Sequence, residues 1–176
     1  MANFKGLDTY EIYDDYYTPK SAWEYISHLL PKDKIIWEAF CLKSKLSKSI
    51  TNLRDLGFQV VGDTELDFFT DETRPEYDMI VSNPPFDKAI KIPILKRLVA
   101  DAKPFVIIMN ACNLYTNYFS EIFADNKADL QVIHPRGKIY FEKLEGDITV
   151  LRKNTSFYCV YVCYKMNIPN DKLWIG

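Results

Sequence analysis

The chain has 176 residues, 48% of them hydrophobic and 26% charged, with a formal net charge of −2. That size suits one α/β domain spanning residues 1–176, with 1–14 as an N-terminal extension and no separate target-recognition domain. The weak net charge excludes a molecule whose whole surface attracts phosphate, so any nucleic-acid contact must come from a local basic face or from a partner. The opening segment lacks the apolar core of a signal peptide, and no apolar run approaches a membrane span. A cytoplasmic protein is expected, or a nuclear one if the source is a eukaryotic virus or host. Cys41, Cys112, Cys159 and Cys163 lack the spacing of zinc ligands, so no metal is expected. Cys159 and Cys163 lie four apart in a β-rich run and are expected on one face of a buried strand.

In chain order, Thr18 and Pro19 predict a helix start, with the hydroxyl as N-cap and proline at the first helical position. Ala22, Trp23, Ile26, Leu29 and Leu30 then recur at helical spacing, and Pro31 stops them. Residues 34–38 read as the first central strand. Leu46, Ile50, Leu53 and Leu56 form a second helical stripe that ends at Gly57, and a strand follows over 58–61. Residues 77–81 predict a strand running into Ser82, Asn83, Pro84, Pro85 and Phe86. A helix is then expected from Pro93, carrying Ile94, Leu95, Leu98 and Val99. Residues 104–109 read as a buried strand, 114–123 as a helix, and 130–133, 138–141 and 156–164 as strands. This alternation predicts a doubly wound, Rossmann-like, mostly parallel sheet, with ligands at the carboxyl ends of the strands where strand order reverses.

The sharpest signal is Asn83-Pro84-Pro85-Phe86 placed directly after an apolar strand. Asparagine and proline also make ordinary turns, but this turn lies where a ligand belongs. The motif resembles the catalytic motif of amino-methyltransferases, among them the DNA adenine N6 enzymes, some RNA enzymes and the protein-glutamine enzymes. Tyr17-Thr18-Pro19 is similar to the N-terminal motif that lines the methionine part of the cofactor pocket in the DNA adenine enzymes. Glu38-Ala39-Phe40 falls where the family has an acidic residue, proline and phenylalanine. Asp63 falls where an acidic residue binds the cofactor ribose. Asp67-Phe68-Phe69 resembles a segment in which Asp contacts the cofactor adenine and an aromatic packs on it. The tail from His134 to Tyr164 is similar to the final strands of phage and giant-virus members.

The resemblance implies the class I methyltransferase fold, with an antiparallel strand near the C-terminus, S-adenosyl-L-methionine as cofactor, and Asn83, Pro84, Pro85 and Phe86 as the catalytic residues. The cofactor would then meet Tyr17, Thr18, Pro19, Glu38, Phe40, Asp63, Asp67 and Phe68. The chemistry suits those residue types. The amide oxygen of Asn83 and the carbonyl of Pro84 can accept from the two hydrogens of an amino group, favouring a pyramidal nitrogen and stabilising the charge that develops on attack. The prolines stiffen the loop, and Phe86 offers a flat face to a base taken out of its stack.

Two departures bear on function. Residues 41–47 contain no glycine where the family has a glycine-rich cofactor turn, which leaves either a differently shaped loop, with Ser44 or Ser47 capping the next helix, or a lost cofactor site. After Phe86 the remaining elements use nearly all of the chain, so duplex reading would need a partner subunit or a second copy. The expected function is methylation of adenine in nucleic acid, DNA before RNA. The alternatives are an amino-methyltransferase on RNA or on a protein amide, and a silent fold acting as a binding subunit.

Weaker signals remain open. Lys43, Lys45 and Lys48, then Lys88, Lys91, Lys96 and Arg97, then Arg136, Lys138, Arg152 and Lys153 either contact phosphates or form an ordinary solvated surface. Tyr13, Tyr16 and Tyr17 either stack on bases or cofactor or cover the sheet edge. Asn113, Tyr115, Thr116, Asn117 and Tyr118 are placed to line the target pocket. His28 and His134 read as structural.

Overall fold

The computed structural model describes residues 16–40, 48–62, 68–145, 148–152 and 157–175. The larger sheet is assembled from short apolar runs: β2 (Ile35–Trp37), β3 (Gln59–Val61), β4 (Met79–Ser82), β5 (Phe105–Asn110), β6 (Leu130–Pro135), β9 (Cys159–Tyr164) and β10 (Trp174–Ile175). Across the sheet the order is β3-β2-β4-β5-β9-β6-β10. β2, β3, β4 and β5 are mutually parallel, whereas β9 runs antiparallel to both neighbours, pairing Ile107 with Val162 on one side and Val132 with Val162 on the other. The expected antiparallel strand is therefore present, wedged between two strands that precede it in the chain.

Strand residues alternate between the two faces, as a period of two requires. Ile36, Met79, Val81, Val106, Ile108, Tyr161 and Cys163 face one cluster, which includes Trp23 and Ile26 of α1 (Lys20–Ser27) and Ile50 and Leu53 of α2 (Lys48–Asp55). Trp37, Ile80, Phe105, Ile107, Val162 and Tyr164 face the other. That cluster includes Ile94, Leu95 and Leu98 of α3 (Lys88–Ala100) and Phe119 of α4 (Asn117–Ile122). With helices on both faces, the sheet is doubly wound as predicted. Cys159 and Cys163 share the first face and are buried. Burial pushes the Cys159 thiol up to about 12, against the pull of Lys138, and raises Cys163 as well, so both are neutral packing groups.

A smaller antiparallel sheet, order β1-β7-β8, joins β1 (Tyr16–Tyr17) to the hairpin of β7 (Phe141–Glu145) and β8 (Ile148–Arg152). The strand expected at 138–141 thus begins where it was predicted to end. Its partner β8 was not foreseen, although Ile148, Val150 and Leu151 supply β-forming residues.

Three helix boundaries differ from expectation. Pro19, not Thr18, occupies the N-cap of α1, and it makes no side-chain cap bond. Thr18 is buried, and its carbonyl accepts from Asn52 Nδ2 at 3.2 Å, so the residue belongs to the packing of α2. α3 starts five residues before Pro93, because Asp87 caps it by accepting from Ala89 N at 2.7 Å. Pro93 then sits inside the helix without an N–H to donate, a cost outweighed by the burial of Ile94, Leu95 and Leu98. The helix predicted over 114–123 is split. A 3-10 turn, Ala111–Tyr115, precedes α4, and Thr116 between them is extended at φ −93° and ψ 147°. Gly57 does end α2, at φ +83°, with its own N–H donating to Arg54 O at 2.8 Å and that of Phe58 to Leu53 O at 3.2 Å. Among the described residues no helix is long and apolar enough to cross a membrane, and no acid, histidine and cysteine cluster suits a metal.

Candidate active site

From β2 the chain steps to β3 on one side and returns through β4 on the other, so strand order reverses between β2 and β4. The carboxyl ends of these strands carry Glu38 and Asn83. The two motifs are joined directly: the Ser82 hydroxyl donates to Glu38 Oε1, and Asn83 is the next residue. Glu38 also accepts from the Phe40 N–H at 3.3 Å and from Ser49 of α2, whose hydroxyl in turn accepts from Trp23 Nε1 at 2.9 Å. A polar chain thus runs from α1 through α2 to the ends of β2 and β4. Burial raises the Glu38 pKa, and the hydrogen bonds from Ser49, Ser82 and the Phe40 N–H pull the other way.

Glu38 is 3% exposed, which makes it a hub that fixes the strand ends. Gly62 brings the end of β3 against it: a Cβ there would lie 2.9 Å from Glu38 O and 2.7 Å from Ile50 Cδ1. Sequence reading missed Ser49 and Gly62. Gly62 carried a signal, a glycine closing a strand, whereas a contact 26 positions apart such as Trp23 with Ser49 leaves none.

Beyond β4 the loop is half-buried. Asn83 Oδ1 is shielded from solvent and has no hydrogen-bond donor among the described residues. Pro84 is buried beside it. Phe86 meets Phe157 at 5.3 Å and Phe141 at 6.1 Å between ring centroids, each nearly at right angles, so neighbouring rings fix its orientation. Its carbonyl accepts from Lys91 Nζ at 2.9 Å, and Lys91, in the first turns of α3, is only 6% exposed.

The remaining expected positions are distributed as follows. Tyr17 pairs in register with Glu142 of β7, and Glu142 is ion-paired with Lys48 at the start of α2, so residues 17–19 are held between the small sheet and α2. Phe40 is partly buried and packs on Phe68 at 4.9 Å. Phe68 itself is 4% exposed, in contact also with Trp37 at 5.8 Å, which makes its ring core. Asp63, Asp67 and the glycine-free segment 41–47 lie outside the described residues. At the neighbouring end of β5, Asn113 is buried, donating to Asn110 O at 2.6 Å and accepting from the Tyr118 hydroxyl.

No protein-family model and no curated protein matches the chain significantly. Among solved structures it is similar to a precorrin-6Y C5,15-methyltransferase from Geobacter metallireducens GS-15, at TM-score 0.43 and 11% identity, over 82% of this chain and 87% of that one. A SAM-dependent O-methyltransferase from Thermotoga maritima gives 0.39 and 11%, over 82% and 64%. TrmN from Thermus thermophilus gives 0.37 and 14%, over 90% and 48%. Similarity this distant carries no argument for a shared substrate or cofactor; those rest on the chain's own residues.

Proposed function

We propose that this chain is a methyltransferase that moves a methyl group from S-adenosyl-L-methionine to the exocyclic amino group of adenine in nucleic acid, DNA before RNA. The observation that supports this most is Asn83 Oδ1, a shielded acceptor with no donor among the described residues, at the carboxyl end of β4 beside the reversal of strand order. An unpaired buried acceptor costs about 1–3 kcal/mol, which a substrate amino group would recover by donating to it. The carbonyl of Pro84, one residue on, offers a second acceptor for the other amino hydrogen. Both acceptors belong to a loop stiffened by two prolines, tied by Lys91 and attached through Ser82 to Glu38. The loop backbone is therefore fixed before substrate arrives, and the shielded Asn83 side chain turns outward to meet it.

On this reading the methyl donor meets Tyr17, Thr18 and Pro19 beside α2, and Phe40 at the end of β2, with Glu38 holding the strand ends and Phe68 backing Phe40. Asp63 and Asp67, following β3, complete the expected set. When bound, the donor supplies an electrophilic methyl group on a sulfonium. The chain's own part is to hold the amino nitrogen, drain charge from it through two accepted hydrogen bonds, and exclude water.

The test is methyl transfer from labelled donor to adenine-containing DNA by the wild type and by Asn83→Ala. Removal of a charge-stabilising group of this kind costs roughly 10²–10³ in kcat. We expect that loss with a denaturation midpoint no lower than that of wild type, since Asn83 Oδ1 holds no partner in the described fold and its removal relieves a desolvation cost. A variant as active as wild type would overturn the assignment.

A further inference from the structure

Large aromatic side chains are exposed on the rim around this loop. Tyr115 is 88% exposed, Tyr158 64% and Tyr140 38%. The fold carries their backbones to the same end of the sheet as the loop. Tyr115 ends the turn that follows β5, and Tyr158 precedes β9, with its carbonyl accepting from Ala111 N at 2.8 Å. Tyr140 precedes Phe141, whose ring touches that of Phe86. Tyr115 is displayed by a stiff turn: the Asn113 side chain donates to Asn110 O, the Asn110 side chain accepts from Cys112 N at 3.0 Å, and the Thr116 hydroxyl donates to Asn113 O at 2.7 Å. Lysines lie beside aromatic rings here. Lys138 Nζ lies 5.0 Å from the centre of the Tyr158 ring, Lys88 Nζ lies 5.6 Å from that of Tyr118, and Arg136 is exposed. The nearby acid Asp87 serves as the N-cap of α3.

We infer that this rim binds an unpaired DNA strand, with bases stacked on Tyr115 and Tyr158 and the backbone met by Lys138 and Arg136. Flat, exposed tyrosine faces suit bases whose π-faces are free, whereas a duplex offers only groove edges and phosphates. Cations beside the rings add attraction to the backbone without sequence choice. The functional purpose of the rim, delivering adenine to Asn83, rests on the proposed activity; the binding itself does not.

The experiment measures the affinity of the full chain for a fluorescent single-stranded DNA oligomer and for the matching duplex, without methyl donor, alongside Tyr115→Ala, Tyr158→Ala and Tyr115→Phe. The single strand is expected to bind more tightly than the duplex. Each alanine variant is expected to weaken it by about 5- to 150-fold, while Tyr115→Phe, which keeps the ring, stays near wild type. Thermal melting of each variant confirms that these exposed positions leave the fold intact. Equal affinity for strand and duplex, or alanine variants that bind like wild type, would overturn the rim. Tight, tyrosine-dependent binding by a chain that transfers no methyl group would uphold the rim and sink the proposed reaction instead.

Discussion

Glu38 shows how a residue can be legible in type and position while the contacts that hold it are not. Its place after β2 was readable because the apolar run ends there; its partners were not, since Ser49 and Ser82 reach it only through the fold. As a buried carboxyl with a raised pKa, Glu38 keeps its proton in the folded chain after the unfolded chain has released it at the ordinary value of 4.5. In the window above 4.5 the folded state therefore binds more protons, and stability falls as pH rises through it. Glu38→Gln keeps an acceptor oxygen and removes the titration. The denaturation midpoint of the variant relative to wild type is expected to climb between pH 4.5 and pH 8; profiles that run parallel would show that the charge of Glu38 costs the fold nothing. For Asn83 the residue type and the place after a strand were readable, and the fold adds a shielded side-chain oxygen with no hydrogen-bond donor among the described residues.

At the scale of elements, periodicity located the helices and central strands, because burial on one face imposes the spacing that a sequence displays. Where local hydrogen bonds decide, periodicity failed. The Asp87 cap moved the start of α3 forward past a proline, and the side chains of Asn110 and Asn113 turned a predicted helical stretch into a 3-10 turn. The meeting of β2 and β3 depends on the missing side chain of Gly62. Gly62→Ala places a Cβ within 2.7 Å of Ile50 Cδ1 and 2.9 Å of Glu38 O. The Ile50 side chain can rotate; the backbone oxygen can move only by shifting the end of β2. A loss of roughly 1–3 kcal/mol is expected for such overpacking, read as a lower midpoint in urea with unchanged slope. Donor affinity should fall with it, because the shifted end carries Glu38 and Phe40.

For the whole molecule, the deciding event is the insertion of β9 between β5 and β6. The apolar run Cys159–Tyr164 announces a strand, but nothing local states that its neighbours are β5 and β6; the antiparallel strand was expected only through the family resemblance. Once inserted, β9 also grips the opposite end of the chain. The Tyr161 hydroxyl donates to the carbonyl of Ala22 at 2.5 Å, across 139 positions of sequence and in a buried setting. Burial raises the Tyr161 pKa, so the hydroxyl keeps its proton and remains a donor at neutral pH. Tyr161→Phe preserves the ring, which is fully buried in the first core cluster, and deletes only this bond. A destabilisation of roughly 1–2 kcal/mol follows for one buried hydrogen bond without a cavity. The matched control is Tyr140→Phe, whose hydroxyl belongs to a side chain 38% exposed and should cost within about 0.5 kcal/mol. If both variants unfold at the wild-type midpoint, α1 and β9 are held by apolar packing alone. If Tyr161→Phe alone falls, this bond helps to join the first helix to the strand that closes the sheet.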